Sequence, residues 1–267
     1  MRPFFSRSGL TLLRRKLKRP VALFLDYDGT LVPIAPRPEL AWLSDSTRFL
    51  LRSLSKWVPV VFVSGRSLMD LRSRIRLRGM TYVGNHGLEI KGPGFRYQME
   101  DAFHWRRFLK KVACQLQAEL DSISGIFLED KGYTLSVHYR QADTVSERNA
   151  SRVLYRGLKP IMDLIQIRSG KSVWEILPPV EWDKGRAVTW ILKRPEFQRR
   201  WPLYIGDDET DQDAFRSIRS KGIGIAVGSH KKKNAAHFYF SDQLEVDKFL
   251  KWLLAQLSTK EHGQRNS

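Results

Sequence analysis

Val21-Ala22-Leu23-Phe24-Leu25-Asp26-Tyr27-Asp28-Gly29-Thr30 is the stretch on which the fold turns. Five consecutive apolar residues predict a strand buried on both faces, as in a parallel sheet covered by helices. Two carboxylates, Asp26 and Asp28, leave the carboxyl end of that strand, where open α/β sheets hold their ligands. Gly29 permits a tight bend. One carboxylate to attack phosphorus, a second to move protons and a shared Mg²⁺ would equip a hydrolase that forms a phosphoaspartate. The same residues also suit a strand that ends in an Asp-Gly turn with solvated acids.

Working outward, further strand-like runs are Pro59–Val63, Thr81–Val83, Leu203–Ile205 and Ile223–Val227. Between them Ser44–Lys56 places Phe49, Leu50, Leu51 and Leu54 near helical spacing. Ser67 and Asp70 form a capping-box pattern ahead of Leu71 and Ile75. Asp211–Ser220 reads as another helix, with Phe215 and Ile218 facing inward. Strand alternating with helix predicts the α/β class, a doubly wound Rossmann-like parallel sheet. The middle of the chain has a different rhythm. Trp105, Phe108, Leu109, Val112, Leu116 and Leu120 make a helical stripe, followed by a hairpin around Asp130-Lys131-Gly132. A second helix, Ser146–Leu158, precedes a second hairpin around Ser169-Gly170-Lys171. Helix and hairpin, twice over, predict an α+β cap domain at 102–179, inserted into an α/β core of 21–101 and 180–267.

With 267 residues, 42% of them hydrophobic, the chain can bury a core of one large or two modest domains. Its formal net charge is +18, and Arg2, Arg7, Arg14, Arg15, Lys16, Lys18 and Arg19 lie in a segment without an acid. Residues 1–20 are therefore expected as a basic N-terminal extension, disordered or docked. Such a balance favours anionic partners, among which phosphorylated metabolites, nucleic acid and anionic membranes all qualify. Cys114 is the only cysteine, which forbids an intrachain disulfide and fits a reducing, cytoplasmic setting. Its place in a helical pattern predicts a core thiol. No run is long and apolar enough to span a bilayer, and no signal peptide is expected.

The other strand ends carry matching chemistry. Ser64-Gly65-Arg66 offers a hydroxyl and backbone donors suited to a phosphoryl oxygen. Gly206-Asp207-Asp208-Glu209-Thr210-Asp211 crowds acids, which is costly unless a cation or a helix N-terminus neutralises them. An oxygen-only set suits Mg²⁺ rather than zinc. Lys184, before Gly185, is a candidate to neutralise phosphate and nucleophile.

In this order, these motifs resemble the haloacid dehalogenase superfamily. More closely, the chain is similar to the trehalose-6-phosphate phosphatases, through Leu25-Asp-Tyr-Asp-Gly-Thr-Leu31, Gly84-Asn-His-Gly-Leu-Glu89, Glu129-Asp-Lys-Gly-Tyr133 with His138-Tyr-Arg140, Lys171-Ser-Val-Trp-Glu-Ile-Leu-Pro178, Asp183-Lys-Gly-Arg-Ala-Val188 and Gly206-Asp-Asp-Glu-Thr-Asp211. The resemblance covers roughly residues 20 to 250. It implies a nucleophile, Asp26, and a proton-moving Asp28. It implies Mg²⁺ on the Asp26 carboxylate, the Asp28 carbonyl and Asp207, with Asp208 and Asp211 ligating or orienting water. Ser64 and Lys184 would hold the phosphoryl group, supported by Thr30 and Arg66. Glu129, Lys131, Arg140, Lys171 and Glu175 would read the sugar or its phosphate from the cap, with Asn85 and His86 contributing from the core.

The expected substrate is trehalose 6-phosphate, and the expected state is a monomer. Nucleic acid is not an expected partner. Phosphatases of sucrose 6-phosphate or mannosyl-3-phosphoglycerate, and phosphomannomutases, share the core motifs and differ in the cap. A basic binding protein on a degenerate phosphatase fold is a reading from another class, against which the intact Asp26, Asp28, Lys184 and Asp207 weigh.

Overall fold

The computed structural model describes residues 1–98, 100–228 and 234–265, apart from the side chains of 101–103 and 260–265. Two compact units emerge, one made of Met1–Arg96 with Asp183–Ser267, the other of Tyr97–Trp182.

The first unit begins with β1 (Arg2–Pro3), α1 (Arg7–Lys16), β2 (Val21–Asp26), α2 (Asp45–Leu54), β3 (Val60–Val63), α3 (Leu68–Ile75), β4 (Thr81–Gly84), β5 (Glu89–Gly92) and β6 (Phe95–Gln98), along which the chain passes into the second unit. The second unit holds α4 (Glu100–Asp121), β7 (Phe127–Asp130), β8 (Leu135–His138), α5 (Thr144–Leu158), β9 (Gln166–Gly170) and β10 (Val173–Leu177). The chain then completes the first unit with α6 (Lys184–Leu192), β11 (Trp201–Gly206), α7 (Asp211–Ile218), β12 (Ile223–Val227), β13 (Phe238–Phe240) and α8 (Gln243–Arg265). The large sheet runs β1-β13-β12-β11-β2-β3-β4-β5-β6, parallel from β1 through β4, with β5 antiparallel to β4.

Every residue of β2 is buried because parallel neighbours, β11 and β3, flank it. Leu23 and Leu25 join Phe62, Leu203 and Ile205 in one core, onto which α2 sets Leu50, Leu51 and Leu54. α2 starts where the Ser44 hydroxyl accepts from the Thr47 N–H, satisfying a donor the helix leaves unpaired.

Residues 1–20 dock on the first unit. Phe4 is wholly buried, packs edge-on against Phe238, Phe240 and Phe249, and donates its N–H to the Tyr239 carbonyl. Leu13 and Leu17 anchor α1 to the same core. The basic side chains of this segment are its outer face; the apolar ones make it part of the unit.

His237, just before β13, supplies a pH-dependent contact. The Gly224 N–H donates to His237 Nδ1 at 3.1 Å, so Nε2 carries the hydrogen it donates to the Arg219 carbonyl at 3.1 Å. Burial pushes the ring's pKa below its ordinary 6.5. The unfolded chain therefore takes this proton first, and the stability conferred is present above about 6.5 and lost as pH falls through the folded value. Acidification from about pH 7.5 to about pH 5.5 is expected to destabilise the wild type more than His237→Gln. Equal slopes by chemical denaturation at the two pH values would remove the assignment.

In the second unit α4 and α5 cover one face of a sheet ordered β7-β8-β10-β9, every neighbour antiparallel. Leu109, Val112, Leu116 and Leu120 of α4 meet Leu128, Leu135, Val137 and Ile176 of the sheet. The unit is wider than the expected 102–179: Tyr97 and Trp182 stack with centroids 4.9 Å apart, tying the entering strand to the leaving segment. Cys114 is exposed, not a core thiol. It lies about 100° around α4 from the buried Ala113, off the stripe. Among the described residues, no helix is long and apolar enough to cross a membrane.

Candidate active site

β2 and β11 are in-register parallel neighbours, Leu25 beside Ile205, so their carboxyl ends deliver Asp26 and Asp207 to one place. Asp211 joins them from the start of α7, and one carboxylate oxygen from each lies within 4.8 Å of the others. All three residues are buried. Gly29, at φ +82°, closes the space beneath, since a Cβ there would stand 2.1 Å from Asp207 Oδ2. A side chain at Gly206 would likewise meet Asp211 Cγ at 2.4 Å. These two glycines are required by the closeness of the carboxylates.

Lys184 opens α6 and is buried to 2% exposure. Its Nζ donates to Asp26 Oδ1 at 2.8 Å and to Asp211 Oδ1 at 2.7 Å. The Tyr204 hydroxyl donates to the same Asp211 oxygen at 2.7 Å, and the Asp208 N–H donates to Asp211 Oδ2 at 3.0 Å. Asp211 thus anchors the lysine and is itself anchored from strand and loop. Burial raises the Asp26 carboxyl well above the usual carboxylate range; Lys184 pulls it back, while Asp211 and Asp207 push it up again. Burial works against charge on Lys184, but Asp211 and Asp26 outweigh it and hold its proton tightly. Three carboxylates against one ammonium leave an oxygen-lined position of net negative charge, which a divalent cation would neutralise. Thr30 Oγ1 donates to Asp207 Oδ1 at 3.4 Å, orienting that carboxylate.

Asp28 is not part of this carboxylate cluster. Arg66 takes both its oxygens, Nε to Oδ2 at 2.6 Å and Nη2 to Oδ1 at 2.7 Å, a bidentate pair. Arg66 also donates to Asp70 Oδ2 at 2.7 Å and to the Pro38 carbonyl at 3.0 Å, and its guanidinium lies over the Tyr27 ring. Expected as a support for the phosphoryl group, Arg66 is instead committed to carboxylates. Asp70 receives Arg74 Nε as well, at 2.8 and 2.9 Å. Burial opposes its charge, yet the hydrogen bonds of Arg74 and Arg66 hold its carboxyl below the ordinary value. The Ser67 hydroxyl accepts from the Asp70 N–H as the capping pattern predicts. The Asp70 carboxylate serves the arginines.

Ser64 is buried, and its hydroxyl oxygen accepts the Arg66 N–H at 3.2 Å. Beside it, the Asn85 N–H donates to the Arg66 carbonyl and the His86 N–H to the Ser64 carbonyl, at 2.7 and 3.1 Å. Asn85 and His86 are therefore at the Ser64-Gly65-Arg66 loop. The Asp208 carboxylate accepts from the Glu209 N–H at 2.7 Å, a loop contact outside the three-acid cluster.

In the second unit, strand register puts Glu129, Ser136, Glu175 and Arg168 in one row across all four strands. Leu128, Val137 and Ile176 face the helices, so this row lies on the opposite face. Lys131 Nζ meets Glu175 Oε1 at 3.1 Å, both side chains largely buried, and Ser136 Oγ donates to the same oxygen at 3.3 Å. His138 Nε2 lies 2.9 Å from Glu129 Oε2. Arg140 Nη2 donates to the Lys171 carbonyl across the two hairpins. Lys131 is thus no solvated turn lysine.

Sequence reasoning missed Tyr204, Asp70 and Ser136 as partners of these groups, and left His138 open between a site residue and a sheet residue. Tyr204 reads as one more apolar strand residue and Asp70 as a cap. Ser136 and His138 could have been found from period-two alternation with Glu129 on the paired strand.

The trehalose-phosphatase family model matches residues 24–244. Trehalose 6-phosphate phosphatase RA3 of Zea mays is 35% identical over 260 residues, spanning 91% of this chain and 72% of that protein. Probable trehalose-phosphate phosphatase 3 of Oryza sativa subsp. japonica is 33% identical over 256 residues, spanning 88% of this chain and 70% of its own length. The C-terminal domain of C. albicans trehalose-6-phosphate phosphatase superposes with a TM-score of 0.80 at 23% identity, over 96% of this chain and 98% of that one, and so shares the fold. The family model spans both sides of the three-acid cluster and the whole second unit, and the chain belongs to the trehalose-phosphatase family, whose members are phosphoric monoester hydrolases.

Proposed function

We propose that this protein hydrolyses trehalose 6-phosphate to trehalose and phosphate through a phosphoaspartate on Asp26. The observation that carries this reading is the buried cluster in which Lys184 bridges Asp26 and Asp211 beside Asp207. An Asp26 oxygen attacks phosphorus, and the bond to the sugar oxygen breaks as Asp28 gives that oxygen a proton. Asp28 then takes a proton from water, which attacks the phosphoaspartate and frees Asp26. Arg66 holds both Asp28 oxygens and sets where that proton is handled. Lys184 and Ser64 hold the phosphoryl oxygens, with Thr30 keeping Asp207 in place. The oxygen-only donors Asp26, Asp207 and the Asp28 carbonyl fit Mg²⁺, with Asp211 and Asp208 close by. When bound, the ion would supply charge neutralisation for nucleophile and phosphoryl group.

In this reading Glu129, Lys131, Arg140, Lys171 and Glu175 bind the sugar. Glucose hydroxyls both donate and accept, so a row of acids and bases penalises analogues that lack one. The enzyme acts as a monomer in the cytoplasm in this reading.

The test is phosphate release from trehalose 6-phosphate, sucrose 6-phosphate, glucose 6-phosphate and mannosyl-3-phosphoglycerate, with Mg²⁺ and with excess chelator. Preference for trehalose 6-phosphate, lost on chelation, is expected. Preference for another ester would overturn the substrate, and undiminished rates in chelator the metal. Glu175→Ala is expected to lower kcat/KM for trehalose 6-phosphate by about 10–100-fold and for p-nitrophenyl phosphate far less. Equal losses would take Glu175 out of the sugar site.

A further inference from the structure

Asn85, His86 and Gly87 follow one another at φ 47°, 56° and 113°. Side chains other than glycine seldom adopt this left-handed region, and they stay there only where the surroundings over-determine the backbone. Two of the constraints are the hydrogen bonds of the Asn85 and His86 N–H groups to the carbonyls of Arg66 and Ser64. A further constraint comes from one carboxylate oxygen. Glu89 Oε1 accepts Asn85 Nδ2 at 2.6 Å and the Leu68 N–H at 3.2 Å. Leu68 opens α3 directly after the Ser64-Gly65-Arg66 loop. Glu89 therefore ties the strained turn to the far end of that loop. The loop carries the complementary feature, for a Cβ on Gly65 would lie 2.5 Å from His86 Cε1, so the imidazole rests on Gly65 itself.

A trans peptide's N–H points away from its C=O. Holding the Ser64 carbonyl on His86 therefore fixes the direction of the Gly65 N–H and the placement of the Ser64 side chain. We propose that Glu89 is a positioning residue, whose Oε1 locks the Asn85–Gly87 turn onto the Ser64–Arg66 loop and so presets the loop's donors for a phosphoryl group. This rests on the phosphatase reading above.

The test compares Glu89→Ala, Glu89→Gln and Glu89→Asp with the wild type. Trehalose 6-phosphate and p-nitrophenyl phosphate serve as substrates, inorganic phosphate as inhibitor, and the thermal midpoint is recorded separately. Gln keeps an acceptor oxygen at the same reach, whereas Asp is one methylene too short to serve both donors. Glu89→Ala is expected to raise the phosphate inhibition constant and lower kcat/KM by about tenfold or more on both esters. Glu89→Gln should stay within about threefold of wild type. Should Glu89→Ala fail to fold, Glu89→Asp carries the same expectation. A removed structural contact alone would lower the midpoint and leave the phosphate inhibition constant unchanged, and that result overturns the proposal. So does loss confined to trehalose 6-phosphate, or a Gln variant as impaired as Ala. A wild type inactive on both esters overturns the phosphatase reading itself, whereas an active wild type with an unaffected Ala variant overturns only the role of Glu89.

Discussion

On the proposed mechanism, Asp26→Asn is expected to abolish turnover, with kcat falling at least about 10⁴-fold, while the chain stays folded. The amide cannot form the phosphoaspartate, and removing a nucleophile costs an enzyme on the order of the whole chemical step. The fold survives because of how Asp26 is held. Its charge is disfavoured by burial and by Asp211 and Asp207 and is favoured by Lys184. Asparagine relieves the crowding of three acids and still offers an oxygen to Lys184, which keeps Asp211 as its charged partner. The thermal midpoint is therefore expected within a few degrees of wild type. The checks are single-turnover phosphate release and circular dichroism on the same preparation. Measurable turnover free of contaminating phosphatase would remove Asp26 as the nucleophile.

Lys184→Met is expected to damage both activity and stability, and by more than any surface substitution. Lys184 is the ammonium that bridges Asp26 and Asp211, and breaking a buried pair by removing one partner costs about 3–5 kcal/mol. At roughly 2–4 °C per kcal/mol for chains near this size, the midpoint falls on the order of 10 °C. Activity falls at least about 10³-fold, because charge on the nucleophile and phosphoryl group loses its fixed counter-charge. Methionine approximates the stem's volume, so the loss reports the charge and not a cavity. Added Mg²⁺ should restore more of the midpoint in the variant than in the wild type, since the cation would relieve the crowded acids. Scanning calorimetry with and without Mg²⁺ decides. A midpoint and rate equal to wild type would show that the lysine neutralises nothing there.

Much of this was legible because the chemistry sits at strand ends. Val21–Leu25 and Leu203–Ile205 are near-continuous apolar runs, a pattern that only a strand covered on both faces sustains. The acids that follow such runs emerge at the sheet's carboxyl edge whatever the rest of the chain does. For that reason Asp26 and Asp207 could be named before their distances were known, whereas Lys184 stood out by its place before Gly185 at the start of a helix. The second unit's helices and hairpins were legible for a similar reason: its apolar stripe and its turn residues are local. Whether residues 1–20 dock was not legible because seven cations dominate the segment, whereas Phe4, Leu13 and Leu17 are the residues it buries.

Local pattern by itself determined the α/β class, the inserted unit, and which acids lie at the strand ends, because periodicity and turn chemistry act over a few residues. Only the tertiary structure decided which partner each charge takes: Arg66 on Asp28 and Asp70, Lys184 between Asp26 and Asp211, Lys131 on Glu175 and Glu89 on the strained turn. A side-chain hydrogen bond needs two groups within about 3 Å. That closeness is set by the register of strands far apart in sequence, and no short window of residues encodes it.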